Sequence, residues 1–462
     1  MPKVPCPAPS IPSIRCLPLS MTQRLRRPAS STALSMAAAA LALACGSARA
    51  EHEIYSNADG TTTLVFSVDV IGAAYSATDS WFGESAGFLG GNTDDWTEFG
   101  AEPKLALTMP MGEGEFFGEV SGVYTSTYGD DASGLTIGLE DKQELTLEQG
   151  HVGWRAEDFF ENIEGDTFSL TIGRQDYSIG TGLLINDGAG DGGERGGWYL
   201  GMRKAFSEST VVSFENEKWL AEGFNLKNRP REGGTQGQAY GSNVEYNFDF
   251  GLMLGGTYML AKDNLPGNDQ ADIASARFDW QLDSGLGFSG EYIDQSSDQI
   301  DATGFYGQVS YALDDESWMP VFSYRYAAFD GDDPTTAVDE RFRDIAYGFT
   351  DYGSWYQGEI TGNYVFSNAN LKSHMLRAQL QPKEGITVNA LYYQFSLDQP
   401  SVIGVASDDW GDEINLAVDW EASDNLYLIG MLGLLMPGAA AEQWTGGSSD
   451  WVQAMLYLSW SW

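Results

Sequence analysis

Residues 451–462, Trp451-Val452-Gln453-Ala454-Met455-Leu456-Tyr457-Leu458-Ser459-Trp460-Ser461-Trp462, alternate without a break. Val452, Ala454, Leu456, Leu458, Trp460 and Trp462 fall on one face, and Gln453, Met455, Tyr457, Ser459 and Ser461 on the other. That is the period of a β-strand. A strand this apolar at an open sheet edge invites pairing with other chains. A barrel closed in lipid removes the edge: the apolar face meets hydrocarbon, the tryptophans suit the interface, and the backbone pairs with the first strand. The alternative is a buried edge strand of a soluble sheet, and the rest of the chain decides.

The same dyad recurs. Ala274, Ala276, Phe278, Trp280 and Leu282 alternate with Ser275, Arg277, Asp279, Gln281 and Asp283, and Ile414, Leu416, Val418 and Trp420 alternate with Asn415, Ala417, Asp419 and Glu421. Strands are expected near 62–74, 99–109, 115–127, 143–156, 166–177, 197–206, 209–219, 238–249 and 251–261. Others are expected near 271–283, 285–294, 302–313, 318–329, 371–381, 385–397, 411–422, 424–435 and 451–462. Short polar turns and longer Gly/Asp-rich loops separate them in alternation, as a barrel with one short-turn end requires. With 13% aromatic and 20% charged residues a disordered chain is excluded, and no apolar run of membrane-helix length follows residue 50.

Residues 1–50 read as a targeting region. Arg24, Arg26 and Arg27 precede the apolar run 33–44, and Ala48-Arg49-Ala50 has the small-x-small form of a cleavage site, so residues 51–462 are expected to form the barrel. The proline-rich first twenty residues have no role in such a signal, which makes Met21 a candidate start. All three cysteines (Cys6, Cys16 and Cys45) lie in this region, so disulfides and thiolate metal sites are not expected beyond it. It also holds six of the 25 basic residues and no acids, leaving 19 against 66 acidic residues, a formal charge of −47. Such acidity excludes nucleic acid as a partner and places most acids in solvated loops.

Parity fixes the topology. If both ends lie in the periplasm, the turns Pro110 to Gly114 and Pro382 to Glu384 face that side, and both counts hold only if Asp330 to Asn370 crosses the membrane an even number of times. The simplest solution is one long external loop, folded into the mouth. The expected architecture is an all-β, transmembrane, antiparallel up-and-down barrel of 18 strands, facing outer-membrane lipid and lipopolysaccharide in a Gram-negative-type envelope.

Several pieces resemble the alginate-export family of outer-membrane porins. Gly173-Arg174-Gln175 with Gly180-Thr181-Gly182-Leu183-Leu184 is similar to the family's strand-to-loop motif. The long loop adds Glu340-Arg341-Phe342, Tyr347-Gly348 and Trp355-Tyr356-Gln357-Gly358, leading to Asn368 and Asn370, and Gly411-Asp412-Glu413 and Pro437-Gly438 fit as well. The resemblance spans about residues 170–462 and implies a barrel that passes an anionic polysaccharide through an Arg-rich lumen, with Arg174, Arg341 and Trp355 on loops. The strong acidity of this chain departs from that picture.

Alternation places Arg155, Arg203, Arg277, Arg325 and Arg377 on the lumen face, with Asp279, Glu291 and Asp419 among the inward acids. For Arg155 this requires a bulge near Gln149-Gly150. A guanidinium facing lipid near the midplane costs about 2–4 kcal/mol, which favours the inward assignment. These side chains can pass an anion in steps, or they can pair with inward acids and narrow the pore. The expected function is passive passage of anionic saccharides or small anions; a general diffusion porin and a non-conducting adhesin or structural barrel are the alternatives. The segment 186–192, expected outside, spaces Asp187 and Asp191 somewhat like a calcium loop but lacks the Glu at the twelfth position. Gly83-Glu84-Ser85-Ala86-Gly87 matches a nucleophile elbow, but it follows a polar stretch and no helical periodicity continues it, so an enzyme is not expected.

Overall fold

A computed structural model describes residues 52–160, 163, 165–229, 236–262, 270–313, 316–343, 345–346 and 357–462. The leader, its cleavage point and Trp355 lie outside these residues. The strands are β1 (His52–Ser56), β2 (Thr63–Thr78), β3 (Asp95–Met111), β4 (Gly114–Gly129), β5 (Gln143–Glu157), β6 (Thr167–Gln175), β7 (Phe206–Glu215), β8 (Trp219–Lys227), β9 (Gln238–Asn247) and β10 (Leu252–Lys262). They continue as β11 (Ala271–Gln281), β12 (Leu286–Ser296), β13 (Asp301–Ala312), β14 (Val321–Phe329), β15 (Leu371–Lys383), β16 (Ile386–Leu397), β17 (Asp409–Ser423), β18 (Leu426–Pro437) and β19 (Trp451–Ser461). Each strand from β2 to β19 pairs antiparallel with the next, and β19 returns to β2 between Val452↔Thr78 and Ser461↔Asp69. This closes a ring of 18 strands. Trp462 exchanges two backbone hydrogen bonds with Val68, and β1 then occupies the same edge of β2, from His52↔Phe66 to Ser56↔Thr63.

The outward face is an apolar belt: Leu145, Leu254, Phe278, Leu416, Val418 and Trp420 are exposed there, while inward neighbours such as Arg277, Asn415 and Ala417 are buried. Lipid takes the place of solvent on that face. Tight turns close one end. Gly112 and Gly385 adopt φ of +67° and +72° in the two-residue links β3–β4 and β15–β16, a region open to glycine. At the long-loop end, phenols on the outer face donate to polar partners: Tyr258 to Asp272, Tyr392 to Asp412 at 2.8 Å, and Tyr124 to Gln143 at 2.7 Å.

Two expectations fail, and their effects on the strand count cancel. Residues 197–205 are not a strand; Gly196, Gly197 and Gly201 take φ of +65°, +65° and +62°, and the segment packs inside the barrel. β8 was not expected as a separate strand. Its inward Phe224 and Leu226 are buried against the interior while its outward positions include Gly223 and Asn225, so the usual apolar-out pattern is inverted. The long loop does fold inward: its Gly358–Phe366 segment is π-helical, buried, and seated against β17 and β18.

Candidate functional site

The inner wall mixes polar groups with apolar ones such as Ile273, Met259 and Met375, and its arginines have polar or aromatic neighbours. Arg277 donates to Glu245 at 2.6 Å, to Thr257 at 2.9 Å and to Asn243, and lies opposite Glu291, which accepts from Ser275. Arg325 donates to Gln308 at 3.1 Å and lies 5.2 Å from the Tyr306 ring centre. Arg377 donates to Asn389 at 3.0 Å and Gln379 at 2.7 Å, and Asn389 in turn donates to Asp419 at 3.1 Å. Asp279 accepts from Gln281 at 2.9 Å. Arg155 pairs with Glu115 and sits 5.4 Å from the Phe117 ring, after a register shift where Val120 and Gly122 face Gly150 and Leu147. A bulge at that point brings it onto the inner face.

Two segments enter the barrel from the long-loop end. The first, residues 176–205, carries Arg203, which is fully buried and sits on this loop rather than on a strand. It donates to Thr125 and to the Glu144 carbonyl at 2.7 Å. The second, described at residues 330–343, 345–346 and 357–370, meets the first through a parallel bridge Ile185↔Ala346. Tyr199 of the first and Tyr364 of the second pack at 5.0 Å between Tyr75, Trp96 and Trp451 of the wall. Burial pushes both phenols well above their usual ionisation range.

Wall glutamates hold these segments by their backbones. Glu98 on β3 accepts from the N–H of Trp198 at 2.9 Å and of Tyr199 at 2.8 Å, one on each oxygen. Glu413 on β17 accepts from Ile360 at 2.8 Å and Thr361 at 2.9 Å in the same manner, with Asn415 donating to it at 2.8 Å. Glu148 on β5 accepts from Lys204 and Ala205, both at 2.7 Å. The sequence offered Glu413 only as part of Gly411-Asp412-Glu413 and did not mark Glu98. Backbone N–H groups leave no signature in sequence.

Beside Glu148 lies a basic group. Glu144 faces Arg195 at 3.6 Å, Arg203 at 3.7 Å and Arg229, and Arg174, which lies on β6 opposite Gly150 rather than on the expected loop, donates to the Glu148 carbonyl at 2.8 Å. Burial, and then the neighbouring Arg229 charge, lower the pKa of Arg195. Arg341 lies in the second segment, where its carbonyl accepts from Arg343 at 3.0 Å. Segment 186–192 is buried in the barrel, which corrects its expected external position. Asp187 accepts from Ala189 at 2.9 Å and Asp191 lies 3.7 Å from Arg203. Among the described residues no group of three or more His, Cys, Asp or Glu could hold a metal ion. Ser85 begins a short helix, Ser85–Phe88, while His52 stacks on Trp462 and His374 faces outward beside Tyr324.

The alginate export family matches residues 261–454. Among solved structures, Pseudomonas aeruginosa OpdK with vanillate is similar at 13% identity and TM-score 0.56, covering 86% of this chain and 99% of that one. OccK2 (OpdF) of the same organism is similar at 14% and 0.54, covering 86% and 97%, and OpdQ at 12% and 0.51, covering 86% and 98%. No curated protein sequence matches the chain. The chain is thus an outer-membrane β-barrel of the porin fold that carries, over residues 261–454, the sequence pattern of the alginate export family.

Proposed function

We propose that this barrel passes small anions or anionic saccharides passively, using the inner-wall guanidinium groups as stations. The observation that carries the reading is the sector of β11 to β15, where Arg277, Arg325 and Arg377 all lie on the inner face within a polar lining. The family match covers that sector, and the similar OpdK structure holds vanillate. The overall charge of −41 argues for cations, but salt screens loop charges beyond roughly 8–10 Å, whereas low-dielectric walls focus the field of groups beside the path.

The test is the reversal potential across a planar bilayer under a salt gradient, for the parent and for Arg277→Gln combined with Arg377→Gln. Anion selectivity in the parent that falls in the double variant is expected. Cation selectivity in the parent, unchanged by the substitutions, refutes the station mechanism and leaves a general diffusion porin.

A further inference from the structure

We infer that Glu98 and Glu413 are positioning residues that set the bore of the channel by clamping the two inner segments to opposite flanks of the β19–β2 seam. This rests on the channel reading and goes beyond it. Each carboxylate spans a dipeptide, with one oxygen on each of two consecutive N–H groups: Trp198 and Tyr199 for Glu98, Ile360 and Thr361 for Glu413. Both side chains are almost wholly buried, and both oxygens of each are taken up by backbone N–H groups of an inner segment. Other wall atoms complete the grip, since Thr127 donates to Glu98 at 3.1 Å and Asn415 accepts from the Glu359 N–H at 3.1 Å. Between the clamps the segments are pressed together by Tyr199 and Tyr364.

The clamp explains why acids sit on a wall whose proposed solute is an anion. At Glu98 and Glu413 the two adjacent N–H donors go to separate oxygens, and a carboxylate matches that arrangement because each of its two equivalent oxygens accepts one. A Gln in its place keeps one acceptor and turns an NH2 group toward the second N–H. The carboxylates thereby hold the narrowing in place while the guanidinium groups deal with solute.

The test uses the chain carrying Ile360→Cys, a position buried in the parent; no cysteine follows Cys45. Membrane-impermeant maleimide should label it slowly, and adding Glu413→Gln should raise the rate about tenfold, the ratio expected on losing about one charge-assisted hydrogen bond. Single-channel conductance of Glu413→Gln should rise and become noisier. Glu421→Gln, which removes an exposed acid from the same strand without touching a loop, should change neither. In the Glu413→Gln background, Gly433→Cys with Ile360→Cys should restore the parent conductance on oxidation, because a Cβ at 433 would lie 3.3 Å from Ile360 side-chain atoms, and reduction should undo it. Should Glu413→Gln not fold by heat-modifiable mobility, Glu98→Gln with Trp198→Cys reports the other clamp. Unchanged labelling in a folded Glu413→Gln protein overturns the inference, as does a conductance change matched by Glu421→Gln. Faster labelling in a protein whose parent passes no current keeps the clamp and discards the channel.

Discussion

Replacing Arg277 by Met removes a guanidinium whose side chain is 3% exposed and which donates to Glu245 at 2.6 Å and Thr257 at 2.9 Å. The gross attraction between unit charges at that separation, with an effective permittivity near 20, is about 6 kcal/mol. Desolvation opposes it, and breaking a buried pair from one side costs about 3–5 kcal/mol. Glu245 is 17% exposed, so water screens what is left behind and the lower end applies. The expected loss is about 3 kcal/mol, a shift of roughly a hundredfold in the folded-to-unfolded ratio. Urea titration of the detergent-folded barrel, read by heat-modifiable mobility, measures it as a lower midpoint. Arg277→Met with Glu245→Leu should recover much of the loss, and the four proteins together form a double-mutant cycle. A single variant as stable as the parent, or a double variant less stable than the single, refutes the assignment of Arg277 as a structural tie.

Burial, and then the charge of Glu413, hold the Glu359 carboxyl well above the usual carboxylate range. A pKa raised by docking means the docked segment keeps its full stability below the ordinary carboxylate pKa and loses it as pH rises through the raised value. Labelling at Ile360→Cys should therefore speed up in alkaline buffer and Glu359→Gln should flatten that rise; a profile unaltered by Glu359→Gln refutes the linkage. Deleting Trp460 to Trp462 removes the two hydrogen bonds to Val68 and the 5.9 Å stack on His52, and should leave the seam unsealed, seen as loss of the heat-modifiable form on gels.

Strands were legible wherever one face is bathed in lipid, because hydrocarbon enforces an apolar dyad at β11, β17 and β19. The failures share a cause. Where inner segments fill the barrel the inward face also turns apolar, so β8 with Phe224 and Leu226 loses its contrast. Conversely Trp198, Leu200 and Met202 of the first inner segment alternate like a strand although they pack against the wall from within. The inward arginines on strands were readable from alternation, as was the bulge before Arg155. Arg195, Arg229 and the clamping role of Glu98 and Glu413 were not, since their partners are loop groups that only tertiary folding brings near.

The outward phenols at the long-loop end bear on bilayer thickness. Tyr258, Tyr392 and Tyr124 each hold a polar partner at the long-loop end of the outer face, with the apolar belt below them. A bilayer of thicker hydrocarbon would draw those phenols and their polar partners among acyl chains unless the barrel tilted or the surrounding leaflet thinned, at fractions of a kcal/mol per Å of mismatch. The protein therefore carries its own depth gauge, and acyl-chain length becomes a variable that tunes its stability without any change of sequence.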